Sequence, residues 1–153
     1  MERTNRKLRL CIVLLVVNVA FIWGNSLLPG SVSGAISGWI RDVLAAIFPG
    51  GFDEPDSGHG LLRKLAHFSE FACLGGLLVW LFAMVQKTRA LALLCGVLVA
   101  SVDETIQRFV PGRGPSIRDV LIDTSGVIVG IGLLLIGHTV YKRANHTLED
   151  TKS

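Results

Sequence analysis

Long apolar blocks separated by short polar segments limit the folds open to this chain more than any other feature. Crossing a hydrocarbon core as a helix takes about 20 predominantly apolar residues. Blocks of that size run from about Leu8 to Leu28, Leu61 to Val85, Ala90 to Val110 and Ile117 to Val140. Half of the 153 residues are hydrophobic and 18% are charged, which is little charge for the surface of a soluble domain. The expected fold is all-α: a single-domain integral membrane helical bundle with four transmembrane helices.

A fifth segment, Ser31 to Phe48, is different. Val32, Ile36, Trp39, Ile40, Val43, Ile47 and Phe48 recur at helical spacing, with Ser33, Ser37, Arg41 and Asp42 on another side. The segment is too short and too charged to span, so it is expected to be an amphipathic helix lying in the interface. Pro49, Gly50 and Gly51 should end it, and Asp53 to Gly60 reads as an exposed loop. Pro111 to Pro115 reads as a turn, Ser116 as the N-cap of the last helix, and Tyr141 to Ser153 as a frayed polar tail.

The first block follows Arg3, Arg6, Lys7 and Arg9, as a signal peptide's would. Gly24-Asn25-Ser26 makes a poor cleavage site, so an uncleaved first span is expected. One set of loops and ends collects Arg3, Arg6, Lys7, Arg9, Lys87, Arg89, Lys142, Arg143 and Lys152. The other collects Arg41, Arg63, Lys64, Arg108, Arg113 and Arg118. The larger set marks the cytoplasmic side, so both termini are expected there, consistent with an even number of spans. The net charge of +3 reflects these flanking residues. There is no basic stripe of the kind that binds nucleic acid. Cys11, Cys73 and Cys95 lie inside apolar blocks without metal-type spacing and read as small buried hydrophobes.

Ionisable residues inside spans are the candidate chemistry, because each costs about 2.5–3.5 kcal/mol at a helix centre. The second span carries Lys64, His67 and Glu70. The third carries Asp103, Glu104 and Gln107. The fourth carries Asp119 and Asp123, preceded by Arg113, Ser116 and Arg118. At about 1.5 Å per residue, His67, Glu70, Asp103 and Asp123 all fall roughly 9–14 Å in from the same side. His67 and Glu70 share a face, as do Asp103 and Gln107, and Asp119 and Asp123. Ala100 and Gly96 continue the second of these faces deeper, and Gly126 and Gly130 the third. Small residues let membrane helices approach closely. The expected picture is a bundle tight on the cytoplasmic side and opened on the other into a polar pocket.

The ordered motifs Lys64-Leu-Ala-His67-Phe68-Ser-Glu70-Phe71, Asp103-Glu104-Thr-Ile-Gln107 and Pro111-Gly-Arg113-Gly-Pro-Ser116-Ile-Arg-Asp119 resemble the VanZ-like family of small bacterial membrane proteins. The resemblance covers about Leu61 to Gly130, and the first span fits more loosely. It implies the bacterial cytoplasmic membrane as the setting, and a role at the cell envelope like that of the founding type, which is linked to teicoplanin resistance. It makes Lys64, His67, Glu70, Asp103, Glu104, Gln107, Arg113, Ser116 and Asp119 the motif positions. The family more usually carries Asn where this chain has Asp123, which adds a carboxylate.

Three readings of these residues stand side by side. In the first, the pocket binds a ligand through Lys64, His67, Glu70, Asp103, Glu104, Gln107, Arg113, Ser116, Asp119 and Asp123. The ligand would be a lipid-linked cell-wall precursor or a glycopeptide. In the second, His67, Glu70 and Asp103 are candidate catalytic groups of a hydrolase or transferase acting on a lipid-linked envelope substrate. Carboxylates holding a hard cation such as Mg²⁺ are then one means of assistance. In the third, Lys64, Arg113 and Arg118 neutralise the carboxylates in an ion-pair network that fixes helix register. A channel is disfavoured, since the cytoplasmic halves of the spans are almost entirely apolar. Membrane lipids are the expected partners, and the sequence specifies no cofactor, metal or oligomeric state.

Overall fold

The computed structural model describes residues 2–47, 58–114 and 116–150. Among them are five helices: α1 Glu2–Ser26, α2 Gly30–Ile47, α3 Gly58–Met84, α4 Arg89–Gln107 and α5 Ile117–Asp150. Four of these, all but α2, contain stretches long and apolar enough to cross a membrane. The chain is therefore a multi-pass membrane protein of the all-α class. The expected stop at Pro49, Gly50 and Gly51, most of the loop expected from Asp53, and Pro115 lie outside the described residues. The end of that loop is helical, since α3 already begins at Gly58. The tail needs a larger correction. α5 continues to Asp150, because Lys142, Arg143 and Ala144 are good helix formers and no glycine or proline interrupts the run beyond Gly137.

α3 and α4 form the centre, with α1 and α5 packed on both of them and α2 packed on α3. The core is small: Ile22, Phe71, Leu74, Leu78, Val79, Ala92, Ala100 and Val127. Val13, Val16 and Val17 of α1, Leu94 and Leu98 of α4, and Leu133, Ile136 and Val140 of α5 point outward. A soluble domain would bury such residues, whereas here lipid is their solvent.

The closest packing joins α3 to α5, and it follows from the glycines noted in the sequence. Gly126 sits against the Phe68 carbonyl and Gly130 against the Ala72 carbonyl, while Gly75 meets the backbone of Val127. A Cβ at Gly75 or Gly130 would run into backbone rather than into a movable side chain. Gly96 of α4 is likewise filled by the Val127 side chain. Without a hydrophobic drive between helices in lipid, close approach at small residues supplies the van der Waals attraction.

The helix connections fix the level of the polar end. Arg113 donates its amide to the Val110 carbonyl at 3.1 Å, with Pro111 second and Gly112 third at φ +75°. That is the signature of a type II turn, in which only a residue tolerant of positive φ fits the third position. The same turn is stapled to the start of α2, where the Gly30 amide donates to the Pro111 carbonyl at 3.0 Å. At the opposite end, Lys87 donates to the Phe82 carbonyl at 2.8 Å and Gln86 to the Ala83 carbonyl at 3.4 Å. This Schellman pattern closes α3, with Gln86 in the left-handed region at φ 54°.

Candidate functional site

α3 brings His67 and Glu70 to one face, three residues apart. Both side chains are 12% exposed, and His67 Nδ1 lies 3.7 Å from Glu70 Oε2, too far for a hydrogen bond. α1 meets that face with polar residues. Asn25 donates from Nδ2 to Glu70 Oε1 at 2.8 Å, and Asn18 donates to the Glu70 backbone carbonyl at 3.5 Å. One carboxylate oxygen of Glu70 is thereby held, and the other is buried without a partner.

α4 contributes Asp103, Glu104 and Gln107, all buried. Gln107 Nε2 donates to Asp103 Oδ2 at 2.8 Å and to Ser26 Oγ at 3.1 Å. Asp103 is fully buried, and its Oδ1 has no partner. Glu104 turns to the start of α5, where its Oε1 accepts from the Ser116 amide. Ser116 is the N-cap expected of it: its Oγ accepts from the Asp119 amide at 3.3 Å. The side chain of Asp123, 3% exposed, makes no hydrogen bond to the described residues. His67, Asp103 and Asp123 converge from three helices, and one potential ligand atom from each lies within 4.8 Å of the others.

Arg113 reaches into this end from the α4–α5 turn. Its Nη2 donates to the Asn25 carbonyl at 3.1 Å, while Nε and Nη1 are buried without partners. Burial lowers its pKa, and Arg63 nearby adds to the effect, yet a guanidinium stays cationic in a protein. Arg113 lines a cavity of about 470 Å³ together with Asn25, Ser37, Arg63, His67 and Glu70. α2 turns Ser37 inward, its Oγ donating to the Ser33 carbonyl at 3.0 Å. Val32, Ile36, Trp39 and Ile47 stay exposed. α2 thus lines the cavity with Ser33 and Ser37 beside Ile36 and Ile40, and leaves Trp39 and Ile47 exposed. A separate narrow crevice holds Arg63, Lys64, His67, Gln107, Asp119 and Asp123, so Arg63 and His67 border both spaces.

A family model described as VanZ/LLP1 matches residues 10–138. The chain belongs to the VanZ-like family. No curated protein and no solved structure matches it. The match includes α1, which the motif resemblance covered only loosely.

The VanZ-like motif positions separate by role. His67, Glu70, Asp103, Gln107 and Arg113 gather at one end of the bundle, with Asp123 among them. Glu104 and Ser116 spend bonding capacity on the start of α5. Lys64 and Arg118 are exposed, and neither is within 4.0 Å of a carboxylate of the described residues. Arg63, which the sequence reading passed over as a site residue, is half-buried and lines both spaces. Asn25 and Ser26 were also missed. Their signal was present: Cys11, Asn18 and Asn25 are spaced by seven, about two helical turns, and so mark one face of α1. Cys11 is fully buried on that face, donating from Sγ to the Leu77 carbonyl at 3.6 Å.

Chemically, this end offers two unpartnered donor nitrogens on Arg113 and unused acceptors on Glu70, Asp103 and Glu104. It is suited to a ligand carrying an anionic group beside hydrogen-bond donors.

Proposed function

We propose that this VanZ-like protein acts at the envelope of a bacterium, in the cytoplasmic membrane with both termini cytoplasmic, by binding the polar head of an amphiphile. The ligand is a lipid-linked cell-wall precursor or a lipoglycopeptide, and the role is like teicoplanin resistance. Arg113 is the observation that carries the proposal. A guanidinium with Nε and Nη1 buried and unpartnered, at the edge of a 470 Å³ cavity, is the fork that recognises phosphate or carboxylate bidentately. The cavity falls within the usual range for small-ligand sites, about 300–1,000 Å³. α2 lines it with Ser33, Ser37, Ile36 and Ile40 and exposes Val32, Trp39 and Ile47, an apolar surface on which a lipid tail can rest.

A network that only fixes register fits less well. Such a network satisfies its members, since half-satisfied buried polar groups cost more than an apolar core. Here His67, Glu70, Asp103, Glu104 and Arg113 each keep a buried atom without a partner. Hydrolysis or group transfer on the same substrate class is the second reading. It is favoured by His67 lying beside Glu70 on the cavity wall, where a base and the group that orients it are expected.

The test is teicoplanin susceptibility of a sensitive bacterium producing the wild type, Glu70→Gln, Asp103→Asn or Arg113→Lys at matched membrane levels. Protection by the wild type alone is expected, since lysine keeps the charge of Arg113 but not its fork. Equal protection by all four proteins would overturn the proposed pocket for that activity.

A further inference from the structure

The geometry points to a divalent transition-metal site formed by His67 of α3, Asp103 of α4 and Asp123 of α5. One imidazole nitrogen and two carboxylate oxygens lie within 4.8 Å of one another. Ligands about 2.1 Å from a tetrahedral ion stand about 3.4 Å apart, so closure needs side-chain movements of roughly 1 Å and no helix shift.

Asp103 brings a buried carboxylate to this space, with Ser26 and Gln107 as its hydrogen-bonding neighbours. It is fully buried, its Oδ2 is held by Gln107 at 2.8 Å, and its Oδ1 is unpartnered. A carboxylate fixed through one oxygen with the other left free is how proteins orient a metal ligand from behind. Gln107 is in turn bonded to Ser26, so the support reaches α1. His67 Nδ1 is also buried and unpartnered.

Charge argues in the same direction. Asp103, Asp119, Glu104 and Glu70 all lie close enough to Asp123 to act on it electrostatically. No lysine or arginine of the described residues comes within 4.0 Å of Asp103 or Asp123. Buried charges are paired or coordinate metals, and Arg113, which acts on Asp103 from a distance, and Arg63 and Lys64, which share the crevice with Asp123, make no close ion pair with either carboxylate.

The donor set decides the class of ion. One imidazole with two carboxylates suits Zn²⁺, Mn²⁺ or Fe²⁺, whereas Mg²⁺ prefers oxygen alone. Three protein ligands leave at least one position for water or a ligand oxygen. The site is independent of the proposed headgroup binding, because occupancy can be read without any organic ligand.

The experiment uses the full chain purified in detergent, stripped with chelator and titrated with Zn²⁺, Mn²⁺ and Mg²⁺, with bound ion measured by elemental analysis. Binding of about one Zn²⁺ or Mn²⁺ per chain is expected. It should weaken at least about tenfold in His67→Gln and in Asp123→Asn, and stay unchanged in His138→Gln at the far end of the bundle. Because a variant can fail to fold, Co²⁺ bound to the wild type supplies a second readout, its visible spectrum expected to show mixed nitrogen and oxygen ligation. Absence of binding, binding unaffected by His67→Gln and Asp123→Asn in folded protein, preference for Mg²⁺, or a Co²⁺ spectrum of the hexaaqua ion would each overturn the site.

Discussion

The two ends of the α3–α5 pair are built on opposite terms. Toward the deeper half, Gly75, Gly126 and Gly130 bring backbone against backbone, and the surrounding core is apolar. Toward the end that holds α2, the same two helices carry His67, Glu70 and Asp123 into a region where buried polar atoms lack partners. A membrane helix pair gains its adhesion from close contact, and interhelical hydrogen bonds add only modestly. The tight half therefore holds the bundle, which leaves the polar half free to keep incompletely paired groups at some cost in stability.

That comparison breaks most readily at Gly130. Leucine there would drive into the Ala72 backbone, and overpacking that cannot be relieved by side-chain rotation should cost about 3 kcal/mol or more. Gly130→Leu is expected to lose the monodisperse peak in size-exclusion chromatography of the membrane extract. A normal peak would mean that α3 and α5 do not depend on this contact. A smaller effect is expected at Ser26→Ala, which removes an acceptor from Gln107. The loss is about 1 kcal/mol, seen as a thermal midpoint lower by roughly 2–4 °C. An unchanged midpoint would detach α1 from the polar end. The smallest effect should come from Gln86→Gly. Glycine relieves the positive φ of Gln86 and should raise stability by about 0.5–1 kcal/mol, again read from the thermal midpoint.

The spans were legible because hydrocarbon thickness dictates block length, and α2 because its apolar residues recur at helical spacing. The tight half was legible too, since Gly126 and Gly130 lie four apart below Asp119 and Asp123 in the sequence. What could not be read is how the helices are rotated against one another. Periodicity placed Lys64 near the carboxylates, where it borders the crevice with Asp119 and Asp123, but gave no place to Arg63, which lines both that crevice and the cavity. Convergence of His67, Asp103 and Asp123 depends on those same rotations, which packing of three separate helices determines. Asn25 and Ser26 were hidden differently. At the end of an apolar block they resemble an ordinary polar turn, and only the spacing from Cys11 and Asn18 marks them as inward-facing. That one oxygen of Glu104 also caps the start of α5, with the other left unpartnered, could not be read from spacing either.

Whether the polar end serves a ligand or the fold is decided most directly by the thermal unfolding midpoint of purified Glu70→Gln beside the wild type. Gln can still accept from Asn25, as Glu70 does, and it removes a buried, incompletely paired charge. The expected midpoint equals or exceeds that of the wild type. Breaking a buried network that stabilises the bundle would cost about 3–5 kcal/mol, a fall of roughly 6 °C or more, and a fall of that size would contradict the account.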